Sequence, residues 1–434
     1  MSDQTIQTGT VETLERFITD RNEPEWLAEA RRTAFDRFRD RSWPTREDEE
    51  FRRSDVSTYD FDEYRVEIAP DGAPAAVENP VGQSGTLTFS GSVVTRRSLA
   101  EGLADKGVLF LSIAEAIAGS LPPAVEERLG AALQAGIANA DNRLSLWHYA
   151  TITHGAILYV PPFLELAEPF VVTFEESAQG LLRSPELLVV GDEGARFSVL
   201  QRVLGSEEGE VLFNEGLDLT VGDGGQINFF SLQNVNIDSS YISNGLGRVG
   251  RDGTLKTYSG VFGGMFSKYR FDVEMRGEGG DAFIGGMYFP HEDQHVDLRT
   301  VQRHVSPRAH SLTLYKGAAI DEAHSVYQGL IEVDHDALFT DAYLTNNNLL
   351  LSDDARSDSI PTLQINTDEV RCSHGSTTGK LDPRHLYYLE TRGYNSEEAR
   401  HMLVEGFFEE VLASYPDFVV DDIRAIVEGR IDGD

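Results

Sequence analysis

Cysteine is nearly missing from this chain: Cys372 is the single one among 434 residues. No disulfide can close within it, and a structural zinc or iron-sulfur site, which wants about four protein ligands, cannot be furnished with thiolates from this chain alone. Lysine is scarce too, at Lys106, Lys256, Lys268, Lys316 and Lys380. Basic residues number 37 against 72 acidic ones, for a net charge of -35. A surface of that sign repels phosphate backbones and anionic bilayers, so nucleic acid and membranes are excluded as general partners. The acids are spread along the chain rather than gathered in a tail, a composition expected of a halophilic protein in a salt-rich cytoplasm, where screening relieves self-repulsion. No run approaches the roughly 18 apolar residues needed to span a bilayer. The start, MSDQTIQTGTVETLERF, lacks the basic and apolar segments of a secretory signal. The expectation is a soluble, cytoplasmic protein.

What is present is enough for a large core: 40% of the residues are hydrophobic, and the length allows two or three domains. Texture divides the chain into four stretches. Residues 1–65 read as a helical region, with apolar residues at helical spacing in VETLERFITD and EPEWLAEARRTAFDRFRD, the latter opened by Pro24. Residues 66–144 are mixed, with strand alternation in TLTFSGSVV and a helix in PPAVEERLGAALQAG. Residues 145–371 hold a long series of short alternating runs, among them AILYVPPF, QINFFSLQNV, FDVEMRG and SLTLYKG, separated by Gly, Asp and Asn turns. So many strands exceed one sandwich, and none can bury a face without a neighbour stacked on it, so a parallel β-helix is favoured over a sandwich or barrel. Residues 372–434 return to helix, with Asp382 and Pro383 as one start and Asn395 with Glu398 as a capping box for another. Met402, Leu403, Phe407, Phe408, Val411 and Leu412 lie on more than one face there, one side for the β body and the other for a partner.

Three motifs match in letters and fail in context. HEDQH, His291 to His295, fits a zinc-protease pattern, but Pro290 and the alternation of FPHEDQHVDLRTVQ make it turn and strand, where residues four apart lie about 13 Å from each other. GLGRVG, Gly245 to Gly250, lacks the following helix that would hold a dinucleotide's pyrophosphate. GSTTGKL is one residue short of a phosphate-binding loop and has no Ser or Thr after Lys380, so ATP hydrolysis is not expected of this chain.

That leaves RCSHG. In an extended chain Cys372 and His374 point to one side, about 7 Å apart, within reach of a shared metal or cluster. Two ligands do not close such a site, so metal chemistry here requires a second chain. The plain alternative is a small buried thiol beside an ordinary polar histidine.

The stretch QINTDEVRCSHGSTTGKLDPRHLYYLETRGYNSEEARHMLVEGFFEEVL resembles the C-terminal signature of the SufB/SufD family, the scaffold subunits of SUF iron-sulfur cluster assembly, and CSHGST with a single cysteine resembles its SufD branch. EPEWLAEARRTAFDRF, WPTREDEEFRRSD, HGAILYVPP and EDQHVDLRTVQRHVSP agree in order along the chain. The resemblance implies a right-handed parallel β-helix flanked by N- and C-terminal helical regions. It implies a non-catalytic subunit working with a SufB-like sister chain and a SufC-like ABC ATPase held by the 372–434 region. It further implies a transient iron-sulfur cluster or iron at the SufB–SufD seam, with His374 and Cys372 as this chain's ligands and no cofactor kept permanently. A homodimer of this chain is an alternative resting state. A homodimeric β-helix binding protein without a metal role and a β-helix polysaccharide-active enzyme are the rival functions.

Overall fold

Alternating β-branched and aromatic residues set the strands. In Gln226–Asn234 (QINFFSLQN) and Phe266–Met275 (FSKYRFDVEM) every second side chain enters one core. The computed structural model describes residues 5–6, 11–57, 59, 61, 64–67, 78–119, 121–176, 180–205 and 209–433. From Val211 onward consecutive strands go alternately to two sheets, and each pairs in parallel with the strand two before it. That wiring is a parallel β-helix. One sheet stacks Val211–Val221, Ser240–Val249, Phe266–Met275, His295–His304, His324–Val333 and Arg356–Ile365. The other stacks Arg196–Gly205, Gln226–Asn234, Thr254–Val261, Asp281–Tyr288, His310–Ala319, Asp341–Leu350 and Arg371–Lys380.

The helices are α1 (Val11–Asp20), α2 (Glu25–Arg39), α3 (Ile113–Ala118), α4 (Pro123–Asn139), α5 (Arg143–Thr151), α6 (Pro383–Thr391), α7 (Ser396–Leu412) and α8 (Asp417–Asp432). Those before the β-helix cover the outer face of the first sheet. Phe35, Leu129 and Trp147 share a cluster there with outward residues Leu188, Leu212 and Ile242. α7 and α8 cover the second sheet, where Val404, Phe408, Val411 and Ile423 bury against Leu200, Phe230, Phe262 and Phe289. Each sheet is therefore apolar on both faces, as parallel sheets are when helices flank them. Among the described residues no helix is long and apolar enough to cross a membrane.

One boundary moves. The strand Arg371–Lys380 pairs over ten residues with Asp341–Leu350, so the β-helix runs past residue 371 and helix begins only at Pro383. The stop is chemical: the Asp382 side chain accepts from the Arg384 N–H at 2.9 Å, and Pro383 occupies the first helical turn.

Candidate functional site

The last strand brings the sequence pair onto one face. Cys372 sits opposite Ala342 and His374 opposite Leu344, and both of those neighbours are buried in the inner core. Cys372 and His374 therefore face the interior of the β-helix, about 7 Å apart by strand geometry. Among the described residues nothing stacks beyond this strand. His374 is consequently exposed, while Cys372 is half-buried against the inner cluster. Burial pushes the Cys372 thiol up, and the Asp341 carboxylate adds to the shift, so at neutral pH it stays a protonated, weak ligand.

The surroundings are those of an open end. Among the described residues Arg356–Ile365 and Arg371–Lys380 each have a strand partner on one side only, leaving two ten-residue edges of backbone donors and acceptors. On the first edge Leu363 and Ile365 are 36% and 38% exposed, whereas Ile331 and Val333, their partners one coil back, are fully buried. The same inward positions thus change from core to surface because the stack ends. α6, which follows, buries none of its nine residues and exposes Tyr387 at 68% and Tyr388 at 56%.

The rejected motifs stay apart from this end. His291 and Glu292 lie in a turn, with Glu292 at φ 50°, and His291 Nδ1 meets Gln294 Oε1 at 2.7 Å. His295 opens a strand, stacks on Phe266 and reaches Ser54 Oγ at 2.9 Å, so the two imidazoles serve different contacts. That Ser54 contact belongs to a strap: Lys268 Nζ binds Asp297 Oδ2 at 3.0 Å and the Glu50 carbonyl at 3.2 Å, pinning the connector after α2 onto the first sheet. GLGRVG runs through the strand Ser240–Val249. Lys380 pairs with Asp353 at the surface.

A second cluster escaped sequence reasoning. On the outer face of the first sheet, under α5, His148 Nε2 meets Glu186 Oε2 at 2.7 Å and His148 Nδ1 meets the Asn214 carbonyl at 2.7 Å. Burial pushes Glu186 up to about 8, with Glu215 adding to it, and burial pushes His148 down to about 4. The neutral acid then donates to Nε2 while Nδ1–H donates to the carbonyl. Gly216 makes the room, since a Cβ there would sit 2.1 Å from both Glu186 Oε2 and His148 Nε2. Glu186 lies in an apolar run, PELLVV, and only the packing of α5 reveals its partner.

The SUF system FeS cluster assembly SufBD core domain matches residues 174–407. The chain is 29% identical over 300 residues to an iron-sulfur cluster assembly SufBD family protein of Mycobacterium bovis, covering 67% of this chain and 74% of that one. It is 28% identical over 225 residues to the iron-sulfur cluster assembly protein SufD of Escherichia coli, covering 52% and 53%. With the SufD of Bacillus subtilis it is 22% identical over 434 aligned positions, 97% of each chain.

Proposed function

Because this chain belongs to the SufB/SufD family of the SUF iron-sulfur cluster assembly system, we propose that it is the SufD-type, non-catalytic scaffold subunit, and that its open β-helix end meets a SufB-type sister chain to form the place where a nascent cluster is built. The observation that carries this reading is the position of Cys372 and His374 on the inward face of the terminal strand. Two ligands need others from across the seam, and two unpaired edges with exposed Leu363 and Ile365 need a covering partner. The cluster is cargo, held in transit. His374 is the leading ligand, since an exposed imidazole can reach iron without rearrangement. Cys372 joins once movement of the seam opens its burial and lets the thiolate form.

The driving motion is assigned to a SufC-type ABC ATPase engaging the C-terminal helices. α6 supports that assignment: a nine-residue helix with no buried side chain is too short to be stable alone in water, and its exposed tyrosines offer rigid amphipathic contact area. ATP-driven closure of the ATPase pair would tilt α6 and α7 against the last strand, a short distance along the chain from His374.

The test is anaerobic reconstitution of this chain alone and then with its sister subunit and ATPase, in high salt, reading iron, sulfide and visible absorbance. The expected result is a cluster only in the three-protein mixture, with its yield lowered by His374→Ala. Equal yield with His374→Ala would remove the pair from the site, and equal yield without this chain would make it structural only.

A further inference from the structure

The two C-terminal helices bring together a set of metal-ligating side chains far from the open end in chain order. Glu397 and His401 lie one turn apart on α7, and Asp432 ends α8. One ligand atom from each lies within 4.8 Å of the others. His401 Nε2 already meets Asp432 Oδ1 at 2.7 Å.

We propose that Glu397, His401 and Asp432 form a divalent transition-metal site that ties the first turn of α7 to the last turn of α8. An ion with bonds of about 2.0–2.2 Å needs its ligand atoms roughly 3.3 Å apart, a spacing that small side-chain rotations reach from the present one. One imidazole with two carboxylates suits zinc or manganese better than calcium or magnesium, which prefer oxygen alone. Three protein ligands leave a position for water, as fits a group in which only His401 is partly buried.

Both turns are held rigidly, which separates this group from a chance meeting of surface acids. The Asn395 side chain accepts from the Glu398 N–H at 2.9 Å, and the Glu398 carboxylate accepts from the Asn395 N–H at 2.8 Å, fixing the first turn of α7. Ala399 and Val404 anchor the same helix from its buried side. At the far end Arg430 is buried and donates to the Phe262 carbonyl at 2.7 Å, with Ile431 buried beside it, so Asp432 is presented from a docked turn. A net charge of -35 favours cation capture. The site stands independently of the scaffold reading above.

The experiment titrates zinc chloride into the full chain by calorimetry, after chelator treatment and in a Cys372→Ser background so that the thiol contributes nothing. The expected result is one saturable site per chain, with His401→Gln and Asp432→Asn each weakening it at least about tenfold, since loss even of an outer-sphere partner has that effect. Asp432 is exposed, so Asp432→Asn tests the site without disturbing the fold. Glu428→Gln, on α8 but outside the group, should leave the affinity unchanged. Weak binding at many acidic groups with no saturable site, or a saturable site indifferent to both ligand substitutions, would overturn the proposal.

Discussion

At its N-terminal end the β-helix is roofed, whereas at its C-terminal end the stack stops in open backbone. The first coils are covered by α4 and α5 on one sheet, and the antiparallel hairpin of Gly85–Ser90 and Val93–Leu99 extends the other. Trp147 is 2% exposed there, with edge contacts to Trp43 at 5.3 Å and Phe61 at 5.9 Å. Among the described residues the final two strands have neither roof nor hairpin, and residues in core register there are exposed to solvent. One end of the same architecture is finished for stability, and the other, on the proposed scaffold role, would be left for a partner to complete.

The largest contrast should come from matched truncations. Trp147→Ala at the roofed end should cost about 3–5 kcal/mol, and His374→Ala at the open end less than about 0.5 kcal/mol, measured by denaturant unfolding. Comparable losses would mean that the last strand supports the fold as fully as the first coils.

A smaller difference should appear in pH dependence. Glu186 keeps its proton in the folded chain up to about 8 but would release it near 4.5 when unfolded. It therefore adds stability in full below 4.5, and that addition is lost as pH climbs through 8. His148 works the other way, adding stability above 6.5 that is lost as pH falls toward 4. Between pH 6.5 and 8, of these two residues, only Glu186 differs in protonation between the folded and unfolded chain, so its addition drains away and stability should fall across that window. Glu186→Gln, which mimics the neutral acid, should flatten the fall in thermal-midpoint measurements, and an unchanged slope would show Glu186 ionised in the folded state.

Much of this was legible in the residues. The alternating runs gave away stacked strands, and a spacing of two placed Cys372 and His374 on one side because strands have a period of two. The repeat itself was hidden, since paired positions one coil apart differ by 26 residues from Ser240 to Phe266 and by 32 from His324 to Arg356. The apolar residues of α7 read as two-faced, and the structure buries Phe408 and Val411 while leaving Met402 42% exposed. The open end was not legible: Ile331 and Leu363 occupy paired positions, and only the absence of a further coil sets them apart. The Glu186 pairing was equally hidden, because it depends on α5 crossing a strand 38 residues away.

The account rests on the open end being a docking end, and the most direct measurement is the mass of the complex in solution. Sedimentation of this chain with the proposed SufB-type sister chain in high salt should give a stable pair, and Leu363→Asp with Ile365→Asp should return both chains to separate species while leaving the unfolding midpoint of this chain nearly unchanged. A pair that survives those substitutions, or forms equally well without the last two strands, would contradict it.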